Sequence, residues 1–136
     1  MNPRYPEVAA RARHHCEYCR APEAAFNLAF EVEHIVPLSK GGADTSDNLA
    51  LACRSCNLYK AAKLTCLDPA TNQQVALFHP RRDAHAEHFQ IDPSLAFVGL
   101  TPTGRATLAC LRLNSARQVR VRRTWQQLGL FPEHLT

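Results

Sequence analysis

The chain has 136 residues, 46% of them apolar, and a formal net charge of +4. That is the size of one domain, or of one compact core with an appendage, and it carries enough apolar residues to exclude a disordered chain. No apolar run nears the roughly 20 residues that span a bilayer, and the opening MNPRYPEVAARARHH lacks the hydrophobic stretch of a secretory leader. The expectation is a cytoplasmic protein with no membrane partner.

Near the N-terminus, residues 5–13 predict a short helix with Val8, Ala9 and Ala12 on one face. Cys16-Glu-Tyr-Cys19 follows, and a second pair, Cys53-Arg-Ser-Cys56, lies further on. Two thiolates three residues apart reach one tetrahedral Zn²⁺ at about 2.3 Å, and two such loops complete a four-sulfur site. The plain alternative is two unrelated pairs of buried thiols. His14 or His15 offers a substitute ligand, although four thiols leave no vacancy. A closed site of this kind is structural: it clamps the segment before the first strand onto the start of a helix. Residues 20–30, with Pro22, predict a loop.

From Glu31 to Lys63 the sequence EVEHIVPLSKGGADTSDNLALACRSCNLYKAAK predicts strand, long loop, short strand and helix. The loop is broken by Gly41-Gly42 and punctuated by Asp47-Asn48. Hydrolysis of a phosphodiester needs a water nucleophile, a proton acceptor and a cation to meet the charge on phosphorus and the leaving oxygen. His34 suits the acceptor, since imidazole titrates near pH 6.5. Glu33 and Asn57 offer oxygens, which Mg²⁺ or Mn²⁺ prefer. Adjacent strand residues point to opposite faces, so Glu33 and His34 diverge unless the strand bends or bulges. Taken singly, each residue has an ordinary reading: a half-exposed histidine, an asparagine cap, solvated lysines.

In order, the motif reads acid-His-Ile-x-Pro, Gly-Gly, Asn-Leu, Cys-x-x-Cys-Asn-x-x-Lys. It resembles the ββα-metal core of the HNH endonucleases. The resemblance implies Glu33 as a ligand of one divalent ion, His34 as general base and Asn57 as second ion ligand. It places Asn48 in the catalytic loop as a support for the histidine strand. Asparagine at 57, where many members carry histidine, and glutamate at 33, where aspartate is frequent, are tolerated departures. Arg54, Lys60 and Lys63 then become phosphate contacts.

The second half is less transparent. Residues 68–74 predict a turn-rich connector and residues 75–81 an extended segment stopped by Pro80. Residues 85–89 fit a short strand or helix, and 95–100 a strand. His79, His85 and His88 match no ligand spacing. Cys66 and Cys110 have no partner pattern and are expected as lone buried thiols. Thr101-Pro102 opens a helix to Leu113, and a second runs from Ala116 to Leu128, ended by Gly129. In the latter, Val119, Thr124 and Leu128 are expected to face the core, with Arg117, Arg120, Arg122 and Arg123 outside. The five arginines between Ala106 and Thr124, with no acid among them, favour a polyanion, so Arg117, Arg120 and Arg123 are candidate nucleic-acid contacts. Residues 67–136 also resemble a C-terminal extension of some bacterial HNH proteins.

The expected fold is α+β: a ββα-metal core over residues 1–66, stabilised by a four-cysteine zinc site, with a C-terminal helical extension over 67–136 packed on it. The expected function is metal-dependent cleavage of DNA, double-stranded by preference. The alternatives are a non-catalytic zinc-binding nucleic-acid module and an RNA-cleaving nuclease. A homodimer or a protein partner stays open.

Overall fold

The structure, a computed structural model, describes residues 1–132. These residues are mixed α and β, and the sheets among them are three separate antiparallel hairpins. The first helix, α1 (Tyr5–Arg11), starts with Pro6 in its first turn and buries Val8 and Ala9. It packs on the first hairpin, β1 (Glu31–His34) and β2 (Leu49–Ala52). All four residues of β2 are buried, as its unbroken Leu-Ala-Leu-Ala run dictates for a strand covered on both faces. A short helix, α2 (Arg54–Lys60), follows directly.

The β1–β2 pairing is residue for residue, from Glu31 opposite Ala52 to His34 opposite Leu49. β1 therefore has no bulge, and Glu33 and His34 do diverge. The connecting loop closes on Gly42. A Cβ there would lie 1.8 Å from the Val36 carbonyl oxygen, so only glycine lets the two backbones approach. Gly41, at φ +84°, takes the left-handed turn that glycine adopts without strain.

Beyond α2, residues 65–76 form a second hairpin, β3 (Thr65–Asp68) and β4 (Gln73–Ala76). The connector expected over 68–74 is the tip of that hairpin. Asp68 accepts from Ala70 N and Thr71 Oγ1, and Asn72 sits at φ 60°. Next come α3 (His85–His88), β5 (Phe89–Ile91) paired with β6 (Phe97–Gly99), α4 (Pro102–Cys110) and α5 (Ala116–Gln127). Thr101 and Ser115 cap the last two helices by accepting from Gly104 N and Gln118 N.

Helix α4 packs on β3, and this contact corrects one expectation: Cys66 and Cys110 are joined as a disulfide, their Cα atoms 6.3 Å apart, rather than standing as lone thiols. Helix α5 corrects another. Arg122 is fully buried, donates to the carbonyls of Leu95 and Leu113, and lies over the Phe97 ring. Trp125 is its buried neighbour on the inner face, and Thr124 and Leu128 point outward. The core joins Val8, Tyr18, Phe30, Leu49 and Leu51 to Phe78, Phe89, Phe97, Leu113 and Trp125, so residues from both sides of position 66 share it. The last four residues of the expected 67–136 unit lie outside the described residues.

Candidate active site and metal centre

Two cysteine knuckles converge. Cys16 and Cys19 sit in a tight turn, in which Cys16 N donates to Ala21 O and Arg20 N donates to Cys16 O. Cys53 caps α2 by accepting from Cys56 N. All four sulfurs are buried and lie within 4.8 Å of one another, and Cys19 and Cys53 are 3.7 Å apart. A tetrahedron with metal–sulfur bonds of about 2.3 Å has edges of about 3.8 Å. The donor set thus fits zinc in both softness and spacing. Contacts with Cys16, then with the other sulfurs, push the Cys53 thiol down and those of Cys19 and Cys56 up.

The first knuckle reaches the hairpin through the two residues between its cysteines. Glu17 accepts from Leu51 N and pairs with Arg81. Tyr18, almost wholly buried, donates its hydroxyl hydrogen to Glu33 Oε1 at 2.6 Å. From the other side, Lys60 brings Nζ to 3.2 Å from the same oxygen and donates to Ile35 O at 2.9 Å. Lys60 is 2% exposed. It is an internal counter-charge for Glu33, buried away from solvent, and not the phosphate contact expected of it. Burial pushes the Glu33 carboxyl up to about 7, against the charge of Lys60 and the hydrogen bond from Tyr18. The second oxygen, Oε2, is buried and has no hydrogen-bond partner among the described residues.

His34 faces the other way, as strand alternation requires. Its Nε2 lies 2.9 Å from Asp44 Oδ1 in the loop. An ionised carboxylate there only accepts, so Nε2 carries the hydrogen of this bond. Asn48 anchors the same loop. Its Oδ1 accepts from Val36 N, and its Nδ2 donates to the carbonyls of Val36 and Ala43. Asn57, on α2, donates through Nδ2 to Glu31. Glu31 and Glu33 share one face of β1, and α2 lies across it: Asn57 meets the first and Lys60 the second. Arg54 also reaches Glu31, at 3.4 Å.

Sequence reasoning misses Glu31, Asp44 and Tyr18. Glu31 is legible in principle, because it stands two residues before Glu33 and shares its face. Asp44 and Tyr18 carry no local signal; only the folded loop and knuckle bring them to their partners. Lys63 donates to Tyr59 O, and Arg54, Arg117, Arg120 and Arg123 lie at the surface, Arg117 and Arg120 and Arg123 on α5. His79, His85 and His88 serve the fold. His79 Nδ1 accepts from Arg81 N and Arg82 N, His85 bonds Tyr18 O, and His88 bonds Thr101 Oγ1.

No solved structure matches the chain. Over 47 residues it is 45% identical to the type IV methyl-directed restriction enzyme EcoKMcrA of Escherichia coli (strain K12); the match covers 31% of this chain and 17% of that relative. The chain therefore spans a small part of that relative's length. Residues 16–63 match the HNH endonuclease family. The matched residues run from the first cysteine knuckle through the hairpin to the end of the segment bearing Asn57, so the similarity takes in both knuckles, His34, Asn48 and Asn57.

Proposed function

We propose that the chain is a metal-dependent endonuclease that hydrolyses phosphodiester bonds in DNA, duplex by preference, in the cytoplasm. Residues 1–66 form the nuclease core and residues 67–136 an extension packed on it. The observation that carries the reading is the Glu33 carboxylate: one oxygen is held by Tyr18 and Lys60, and the other is buried without a partner among the described residues. Buried carboxylate oxygens are normally satisfied, and a hard cation such as Mg²⁺ or Mn²⁺ satisfies one. The amide oxygen of Asn57 is the second ligand. When bound, the ion supplies positive charge where the phosphate gains negative charge.

The chain's own residues do the rest. Asp44 holds the His34 imidazole, whose Nδ1 takes a proton from the attacking water. Asn48 keeps the loop that carries Asp44 in place. The four cysteines, loaded with zinc, fix α2 and hence Asn57. Arg54, Lys63, Arg117, Arg120 and Arg123 are available to phosphates.

One observation favours a second ligand set. Asn57 touches Glu31, not Glu33, which makes Glu31 and Asn57 an alternative oxygen pair. Isosteric variants decide between them. With Mn²⁺ binding followed by electron paramagnetic resonance, Glu33→Gln abolishes the site if Glu33 is the ligand, whereas loss in Glu31→Gln alone assigns it to Glu31. If neither variant changes Mn²⁺ binding or metal-dependent cleavage, the ion site is wrongly placed. The name of the relative suggests DNA rather than RNA, and digestion of both substrates side by side tests that choice.

A further inference from the structure

A groove of about 490 Å³ runs between α2 and the start of α5. Its walls include Arg54, Ser55 and Tyr59 from α2, Arg112 from the α4–α5 link, and Arg117 and Gln118 from α5. Three of these six are arginines and none is an acid. The acid next to them is Glu31, which already pairs with Arg54.

The walls are built as well as charged. Gln118 Nε2 donates to Ser55 Oγ at 3.0 Å, tying α5 to α2. The Arg112 guanidinium lies 4.4 Å from the centre of the Tyr59 ring, with Nη1 3.5 Å from the Tyr59 hydroxyl. Arg112 holds a left-handed backbone at φ 55°, a conformation that costs a non-glycine residue free energy and persists only where its surroundings impose it. A guanidinium held over an aromatic face, with one nitrogen at the Tyr59 hydroxyl, still has further N–H groups to donate, so Arg112 is positioned for a planar or tetrahedral oxyanion.

The position of the groove relates it to the active site. α2 has seven residues and is about 10 Å long, some three nucleotides of rise along one strand. Asn57 projects from the same helix, and Arg54 and Asn57 meet at Glu31.

The geometry points to this groove as the seat of the DNA backbone flanking the scissile bond, with the extension supplying one wall through Arg112 and Arg117. The inference rests on the DNA-cleaving reading above and adds a function for residues beyond position 66. The phosphates of one strand lie against Arg54, Arg112 and Arg117. Arg120 and Arg123, further along the same helix, are not on the groove.

The test is fluorescence anisotropy of zinc-loaded full-length protein on a labelled duplex over a series of salt concentrations, with no Mg²⁺ and no chelator. Arg112→Gln/Arg117→Gln removes two contacts. Each releases ~0.9 counterion, so the slope of log K against log salt falls by about 2 and binding in about 0.15 M salt weakens about 30-fold. Arg117→Gln alone leaves the Arg112–Tyr59 stack intact and gives half that change in slope; it stands in if the double variant loses zinc or circular dichroism. Arg120→Gln/Arg123→Gln removes the same charge from the same helix and shifts the slope by less than half as much. Equal effects from the two pairs would show a diffuse charge effect and overturn the groove. Wild-type protein that cleaves DNA while the groove pair binds normally overturns the groove but keeps the nuclease. A groove effect seen on RNA and not on duplex DNA overturns the stated occupant. Wild-type protein that binds no DNA overturns both readings.

Discussion

Replacing Lys60 by methionine keeps the side chain's volume and apolar stem but deletes the charge beside Glu33. Both partners are buried, at 2% and 5% side-chain exposure, with 3.2 Å between Nζ and Oε1. At that distance and an effective dielectric of about 20, the attraction is about 5 kcal/mol. Removing one member of a buried pair typically costs about 3–5 kcal/mol, because the remaining charge stays out of water. The substitution also strips Ile35 O of its donor. We therefore expect Lys60→Met to lose about 3–5 kcal/mol in urea unfolding at about pH 8, where the wild-type Glu33, at about 7, is ionised; without the lysine its carboxyl is pushed up further and is either stranded as a charge or protonated at a cost. Adding Glu33→Gln removes the stranded carboxylate, so the double variant should recover about 2 kcal/mol, a coupling that independent sites do not show. Zinc content measured on each variant separates this effect from loss of the metal centre. A loss under about 1 kcal/mol for Lys60→Met, with additive single and double variants, would refute the internal-counter-charge reading and return Lys60 to the surface role that the sequence suggested.

Three further outcomes follow from the same contacts. Stripping zinc should unfold at least the knuckles and α2, seen as lost helical circular dichroism and regained on one equivalent of zinc per chain; unchanged spectra in metal-free protein would contradict a structural site. Asn48→Ala deletes three loop hydrogen bonds and should cost about 2–4 kcal/mol at roughly 1 kcal/mol each. Amide exchange should rise across residues 36–48, and unchanged protection there would contradict the anchoring role. His85 is pressed down to about 4, by burial first and then by the charge of Arg20. The unfolded chain takes up a proton first as the pH falls below about 6.5, so the stability this histidine provides is full above that pH and lost toward about 4. Between about pH 7.5 and about pH 5 the wild type should lose about 2 kcal/mol more than His85→Asn; parallel pH curves would contradict it.

The first hairpin and α2 were legible because their signals are local. Gly41-Gly42 breaks the chain, Leu49-Ala50-Leu51-Ala52 reads as a covered strand, and Cys53 begins the helix. The cysteine cluster was legible because two C-x-x-C loops state their purpose by spacing alone. Lys60 and Arg122 misled, because nothing in a sequence says that a charged residue will find carbonyls and a counter-ion indoors. Once Arg122 is placed inside, the inner face of α5 falls at Gln118, Arg122 and Trp125, a helical spacing that the apolar residues alone do not display. The β3–β4 hairpin was hidden in a polar stretch with little alternation, and its turn is held by Asp68, which also binds Arg105 of α4. The Cys66–Cys110 link joins residues 44 apart, a distance at which sequence offers no guide. Glu33 and His34 were expected either to diverge or to be brought round by a bulge, and the unbroken register of β1 decides for divergence.

The most direct test of the central claim is supercoiled plasmid incubated with zinc-loaded protein and Mg²⁺ or Mn²⁺, beside His34→Ala that retains its zinc. Open-circle or linear product is expected that requires the added ion and falls about 10²–10⁴-fold in the variant, the usual contribution of a general base. Cleavage that persists undiminished in His34→Ala would contradict the assignment of His34. Plasmid bound but uncut by the wild type under every ion would contradict the enzyme and leave a zinc-stabilised binding module.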